Sequence, residues 1–264
     1  MGKTIGIVSL KGGVGKTSVV AALGAALADL DKKILLIDGN LSSPTLGLHL
    51  NIVDTEKTLH HVLNRTANTK EAIYQYENFD VMPSSAFERI ETNPLKLKDK
   101  IKGLKKKYDF ILMDSSPTLD HETLAVILAS DEIFVVTTPD HPTLNSTLKS
   151  IKLARQRGTP ISGLILNKVH KKDFEVALED IEGVANIPVM AVIPYDTNVL
   201  KALSELIPST HHKPHSEGST EYKKLAATLT GKKYKQVRLR DFFRKLVPKK
   251  QEVNRELFYK GVFK

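Results

Sequence analysis

From Ser9 to Ser18 the chain reads Ser-Leu-Lys-Gly-Gly-Val-Gly-Lys-Thr-Ser, a set of residue types suited to holding a chain of phosphates. The glycines at 12, 13 and 15 let successive backbone N–H groups converge on phosphate oxygens, and a helix starting near Lys16 adds its dipole. Lys16 can reach β- and γ-phosphates, and the Thr17 hydroxyl can ligate magnesium. Lys11, Gly12, Gly13, Val14, Gly15, Lys16, Thr17 and Ser18 are therefore the candidate phosphate contacts. The general phosphate-loop pattern asks for glycine five residues before Gly15, and here that position is Leu10. Read strictly, the general motif fails by one residue.

Such a loop must be held between a strand and a helix, and the flanking pattern provides both. Strand-like apolar runs fall at residues 5–10, 34–38, 79–82, 110–114, 133–137, 163–167 and 189–194. Several are continuously apolar, as strands buried on both faces are. Helix-length amphipathic stretches lie between them, at 16–29, 94–106, 122–129, 142–157 and 174–183, with two more at 197–205 and 219–229. This alternation predicts a mostly parallel sheet covered by helices on both faces. The periodicity stops around Thr230-Gly231-Lys232, so a domain over residues 1–231 and a basic tail over 232–264 are expected.

The 264 residues can bury a core without covalent staples, and zero cysteine excludes disulfides, iron–sulfur clusters and thiolate zinc sites. No apolar run reaches the roughly 18 residues a membrane span needs. A strand-like segment close to the N-terminus leaves no room for a secretory signal, so a soluble cytoplasmic chain is expected. Twelve Lys/Arg against three Asp/Glu lie from Lys232 to Lys264, an excess equal to the whole formal charge of +9. The body is thus neutral, and the tail is suited to an anionic surface.

The segment Lys11 to Thr17 resembles the deviant phosphate loop of the MinD/ParA family of ATPases, which tolerates other residues at the Leu10 position. The resemblance covers nearly all of residues 3–231, and residues 38–50 look especially like archaeal MinD-like ATPases. It implies a three-layer α/β P-loop NTPase fold, ATP and Mg2+ as cofactors, and slow ATP hydrolysis. Lys11 matches the extra lysine that in this family reaches across an ATP-dependent homodimer to the other copy's nucleotide, much as an arginine finger does. Residues 34–40 look like the second strand and first switch, and residues 110–117 like the acidic strand and second switch. Asp38 and Asp114 each end an apolar strand, at the edge where open α/β sheets bind ligands. The resemblance assigns Asp114 to magnesium through water and Asp38 to the same cluster.

Many family members read Asp-x-Asp where this chain has Asp38-Gly39-Asn40. Asn40 can orient water through its amide oxygen but cannot serve as a general base. Positioning and electrostatics dominate phosphoryl transfer, so slowed hydrolysis is expected, with a non-hydrolysing nucleotide-gated scaffold as the rival. Asn167-Lys168-Val169-His170 begins like the guanine-reading Asn-Lys-x-Asp motif but lacks its aspartate. The guanine N1 and N2 donors are then left without a partner, which is costly in a buried site. The resemblance puts Asn167 on adenine instead, with Pro194, Tyr195 and Asp196 as the opposite wall.

In the tail, Leu239, Phe242, Phe243, Leu246 and Val247 share one helical face, with arginines and lysines largely off it, before Pro248 stops the helix. Eleven residues hold a helix poorly in water, so this one should form when docked. Bulky apolar groups beside basic ones describe an interfacial membrane helix. The segment resembles the C-terminal membrane-targeting helix of the MinD branch, in which ATP-driven dimerisation supplies avidity. Residues 251–264 carry a second apolar–basic cluster, open to reading as a second anchor, a partner-binding segment or a packed terminal turn.

The resulting expectation is a switch ATPase that dimerises with ATP, sits on the inner face of the cell membrane in that state, and positions an unknown partner or cargo. The rival within the family is a ParA-like ATPase that uses DNA as its matrix. It is less favoured, because the tail aromatics are grouped rather than interleaved with bases. His211, His212 and His215 are read as a polar surface loop, and His60-His61 as a helix start without chemistry. Ser115 and Ser116 lack the glycines of a hydrolase elbow.

Overall fold

The computed structural model describes residues 1–86, 91–232, 234 and 249–262. Eight strands form one sheet in the order β3-β4-β2-β5-β1-β6-β7-β8. These are β1 (Lys3–Val8), β2 (Ile34–Asp38), β3 (Tyr74–Tyr76), β4 (Phe79–Met82), β5 (Phe110–Asp114), β6 (Glu132–Thr137), β7 (Ile161–Val169) and β8 (Val189–Pro194). Every pairing is parallel except that of β3 with β4. The central strands β1, β2 and β5 are buried almost throughout. Alternate residues feed two cores. Ile5, Ile7, Leu36 and Leu112 pack on one face; Val8, Leu35, Ile37, Ile111 and Met113 pack on the other. The result is the expected three-layer α/β P-loop NTPase architecture.

Helix α1 (Lys16–Ala28) is buried on nearly all sides, as its uniformly apolar sequence requires. It packs on the sheet over β1, β2 and β5, side by side with α10 (Glu217–Leu229), which covers β8. On the way come α2 (Leu46–His49), α3 (Leu59–Leu63), α4 (Leu97–Ile101), α5 (His121–Ala129), α6 (His141–Gln156), α7 (Leu178–Ala185), α8 (Thr197–Ser204) and α9 (Ser209–His212). Parallel pairing sets Asp38 level with Asp114, and Asp114 level with Ile7. Three strands therefore end together at the site.

Several boundaries differ from the sequence reading. β1 ends at Val8 because Leu10 already leaves the ladder, its N–H donating to Ser150 Oγ. The helix expected over 94–106 is α4 flanked by two 3-10 turns, Pro94–Lys96 and Leu104–Lys106. The helix expected from residue 174 starts at Leu178, because Glu175 instead folds back to accept the N–H groups of His170, Lys171 and Lys172. The short edge strand β3 and helices α2, α3 and α9 carry too few residues to show a period. His60 and His61 do lie in a helix start, with Thr58 at its N-cap.

A last helix, α11 (Lys250–Val262), folds back onto β8 and α10. Asn254 Nδ2 donates to Val189 O at 2.9 Å, and Arg255 Nη1 donates to Met190 O at 2.8 Å and to Glu221 Oε2 at 3.0 Å. Phe258 packs against the α1–α10 core. Of the three readings of residues 251–264, the packed one describes α11. The expected membrane-face residues Leu239, Phe242, Phe243, Leu246 and Val247 lie outside the described residues. Among the described residues no helix is long and apolar enough to cross a membrane.

Candidate functional site: a phosphate loop facing two carboxylates

The loop after β1 turns on two residues with left-handed backbone, Gly13 (φ 76°) and Gly15 (φ 94°), and Gly15 is the N-cap of α1. A Cβ at Gly15 would stand 2.4 Å from Asn167 Nδ2. Both constraints demand glycine. From behind, the end of β7 grips the loop. Asn167 Nδ2 donates to Val14 O and Lys168 Nζ to Gly13 O, each at 2.7 Å. The loop is therefore shaped before any ligand arrives, and its N–H groups are left for an anion.

Lys16 is 8% exposed, and burial lowers its pKa against the opposing charge of Asp114. Thr17 Oγ1 donates to Asp114 Oδ2 at 2.5 Å and shares a hydrogen bond with Thr45 Oγ1 at 3.0 Å. Asp38 Oδ2 accepts the N–H groups of Thr45 and Leu46 at 3.0 and 2.9 Å, and Oδ1 that of Asn40 at 3.2 Å. Ser84 Oγ donates to Asp38 O at 2.7 Å. The two aspartates are fully buried neighbours on adjacent strands. Burial first, and then the charge of Asp114, push Asp38 well above the usual carboxylate range. Burial also raises Asp114, against the Thr17 hydrogen bond and the Lys16 charge.

Two acidic groups pushed upward at one strand edge are the state a divalent cation would reverse. Asp114 Oδ1 and Asn40 Oδ1 are buried acceptors with no protein partner. Asp114 and the Thr17 and Thr45 hydroxyls, joined by hydrogen bonds, make an oxygen-only set, which suits magnesium carrying its own waters and phosphate oxygens. Among the described residues no group of three or more His, Asp or Glu could hold a metal alone.

Lys11 points elsewhere. Its Nζ lies 2.6 Å from Thr143 Oγ1 and 3.3 Å from Asp140 Oδ1. Asp140 caps α6, and burial is outweighed there by hydrogen bonds from Thr138, Thr143 and Lys11, which bring its pKa down to about 2. An open cleft of about 370 Å³ is lined by Lys11, Gly12, Gly13, Val14, Lys168 and His170. His170 stacks on Tyr195 with ring centroids 4.5 Å apart. Pro194 ends β8 level with Val169, and Asp196 caps α8 through Asn198 N at 2.9 Å. Asn167 and the Pro194–Asp196 turn thus come together beyond the loop.

Residues 2–160 match a family model described as an AAA domain. The whole chain is 32% identical to an uncharacterized ATP-binding protein of Methanocaldococcus jannaschii, covering 97% of it. The crystal structure of the cell division ATPase MinD of Pyrococcus furiosus superposes with a TM-score of 0.83 at 38% identity, over 87% of this chain and 99% of that one. This chain belongs to the MinD/ParA family of P-loop ATPases. MinD from Pyrococcus horikoshii, solved with Mg-ADP, gives a TM-score of 0.82 at 37% identity over 87% of this chain and 96% of that one. Like other MinD/ParA ATPases, the protein hydrolyses ATP.

Several residues of this MinD/ParA site had no role assigned from sequence. Ser84, Asp140 and Thr143 reach it only through tertiary contacts between distant segments, as do Thr45 and Lys168, which lie within motifs quoted for other reasons. Asp140 stands as an acid before His141-Pro142 at a helix start. The expected loop at His211 and His212 is instead the end of helix α9, where both side chains are largely covered: His211 pairs with Asp29 and Glu77, and His212 with Glu205.

Proposed function

We propose that this MinD/ParA ATPase is a membrane-recruited positioning switch: ATP closes two copies into a dimer, and the paired tails hold the dimer on an anionic membrane. The observation that carries the nucleotide part is the Thr17–Asp114–Thr45–Asp38 network, which joins the phosphate loop to the turn at residues 38–46 through hydroxyls and carboxylates. In this reading the loop amides and Lys16 hold the β- and γ-phosphates, and Ser18 adds the next amide. Thr17 and Asp114 hold magnesium, with Asp38 tied to the same cluster. When bound there, magnesium would neutralise negative charge on the β- and γ-phosphates. Asn40 orients the attacking water through its amide oxygen, and Asn167, Pro194 and Asp196 enclose adenine. Lys11 exchanges its Asp140 contact for the γ-phosphate bound by a second copy, adding positive charge where transition-state charge gathers.

The membrane part rests on the apolar face of Leu239, Phe242, Phe243, Leu246 and Val247 and on the basic charge around it. The test is vesicle flotation of full-length protein and of a Phe242→Glu/Phe243→Glu variant, with ATP and with ADP. Wild type should float on anionic vesicles with ATP only, and the variant should stay at the bottom. Equal flotation of both would remove the tail from the account. ATP-dependent co-sedimentation with DNA in place of flotation would favour the ParA-like reading.

A further inference from the structure

Asn40 leaves the Asp38–Ser43 turn without the second carboxylate that a water-organising turn commonly carries, yet a carboxylate from another element reaches it. Helix α5 lies directly against this turn. A Cβ at Gly39 would fall 2.6 Å from both Asp114 O and Val126 Cγ2. One helical turn before Val126, on the same face, stands Glu122, only 8% exposed. Glu122 Oε1 accepts the Ser42 hydroxyl, while Asn40 Nδ2 donates to Ser43 O. Glu122 Oε2 is buried with no protein donor, like Asn40 Oδ1. A buried carboxylate oxygen and a buried amide oxygen on adjoining segments both call for water as their donor.

We propose that Glu122 is a positioning residue of the hydrolytic step: through Ser42 it fixes the turn that presents Asn40, and it supplies the negative charge that this turn lacks. The proposal rests on reading residues 38–46 as the nucleotide-sensing turn. An aspartate at position 40 would add a second negative charge to the segment that Glu122 already holds through Ser42, an unfavourable like-charge arrangement.

The test uses the full chain in four forms besides wild type: Ser42→Ala, Glu122→Gln, Asn40→Asp and the double variant Asn40→Asp/Glu122→Gln. ATP affinity, kcat and hydrogen exchange of residues 39–45 without nucleotide are measured for each. Ser42 is exposed, so its truncation spares the core. Ser42→Ala should speed exchange and cut kcat about tenfold with ATP affinity held within about twofold, the loss of one hydrogen bond to a charged group. Glu122→Gln should cut kcat similarly, and adding Asn40→Asp should restore it to within about threefold of wild type. If the double variant is no faster than Glu122→Gln, or if Ser42→Ala matches wild type in both kcat and exchange, the proposal is overturned. A Lys16→Ala variant judges the nucleotide reading separately, since the exchange readout needs no nucleotide.

Discussion

Burial sets an opposed pair of costs at residues 16 and 114: Lys16 is discouraged from holding its proton and Asp114 from losing its own, and each eases the other. Asp38 sharpens the conflict, because its folded-state pKa is raised by burial and by Asp114. A carboxylate raised on folding binds more protons folded than unfolded, so its contribution to stability is lost as pH rises from about 4 towards its folded value. Asp114→Asn removes one of the two charges. The metal-free variant should therefore be about 1 kcal/mol more stable than wild type near pH 8, with the gain shrinking towards pH 4. The same variant should gain far less from Mg-ADP and lose at least about a hundredfold in kcat. Thermal melts across pH, with and without Mg-ADP, and phosphate release check these outcomes. Gly15→Ala meets both a left-handed φ and the Asn167 amide. It should cost about 1–3 kcal/mol and weaken ATP binding at least tenfold by calorimetry.

Among the elements, α11 carries the clearest energetic consequence. Arg255 and Glu221 are 6% and 4% exposed at their side chains, and the arginine also holds Met190 O on the edge strand. Such a pair adds little over a hydrophobic substitute, but breaking it leaves the buried Glu221 with only a long contact to Lys224 at 3.4 Å. Arg255→Met should lower unfolding free energy by about 3–5 kcal/mol in urea titrations, and adding Glu221→Leu should recover most of it. The same contacts imply that ending the chain at Gly231 uncovers β8 and Glu221 together, so full-length variants probe the tail more cleanly than truncation does.

For the whole molecule, the proposed ATP-driven dimer turns on the company Lys11 keeps. In one chain it is paired with Asp140 across partly exposed surface, an arrangement worth little. The polyphosphate of a second copy would be a stronger anion, so in the proposed dimer exchanging partners would be favourable. Lys11→Ala should leave ATP affinity nearly intact while lowering kcat by about a thousandfold. Light scattering should then show a monomer with ATP, where wild type should show a dimer. A Lys11→Ala protein that turns over ATP at the wild-type rate would remove the second copy from catalysis.

The sequence by itself determined the chemistry at the loop and the layers around it. Residues 11–18 spell phosphate binding in their own order, and β2 and β5 are continuous apolar runs ending in acids, so their burial and position could be read without neighbours. What the tertiary structure decided was every contact made between segments far apart. Lys168 on Gly13, Thr45 on Thr17, Lys11 on Asp140 and Glu122 on Ser42 join positions from 28 to 155 residues apart. No local period encodes these, because polar side chains at loop ends are chosen by partners across the sheet edge. The same holds for α11, whose apolar–basic pattern suits a membrane or a protein face equally. Its place follows from β8 having free carbonyls at Val189 and Met190 and from Glu221 needing a buried cation.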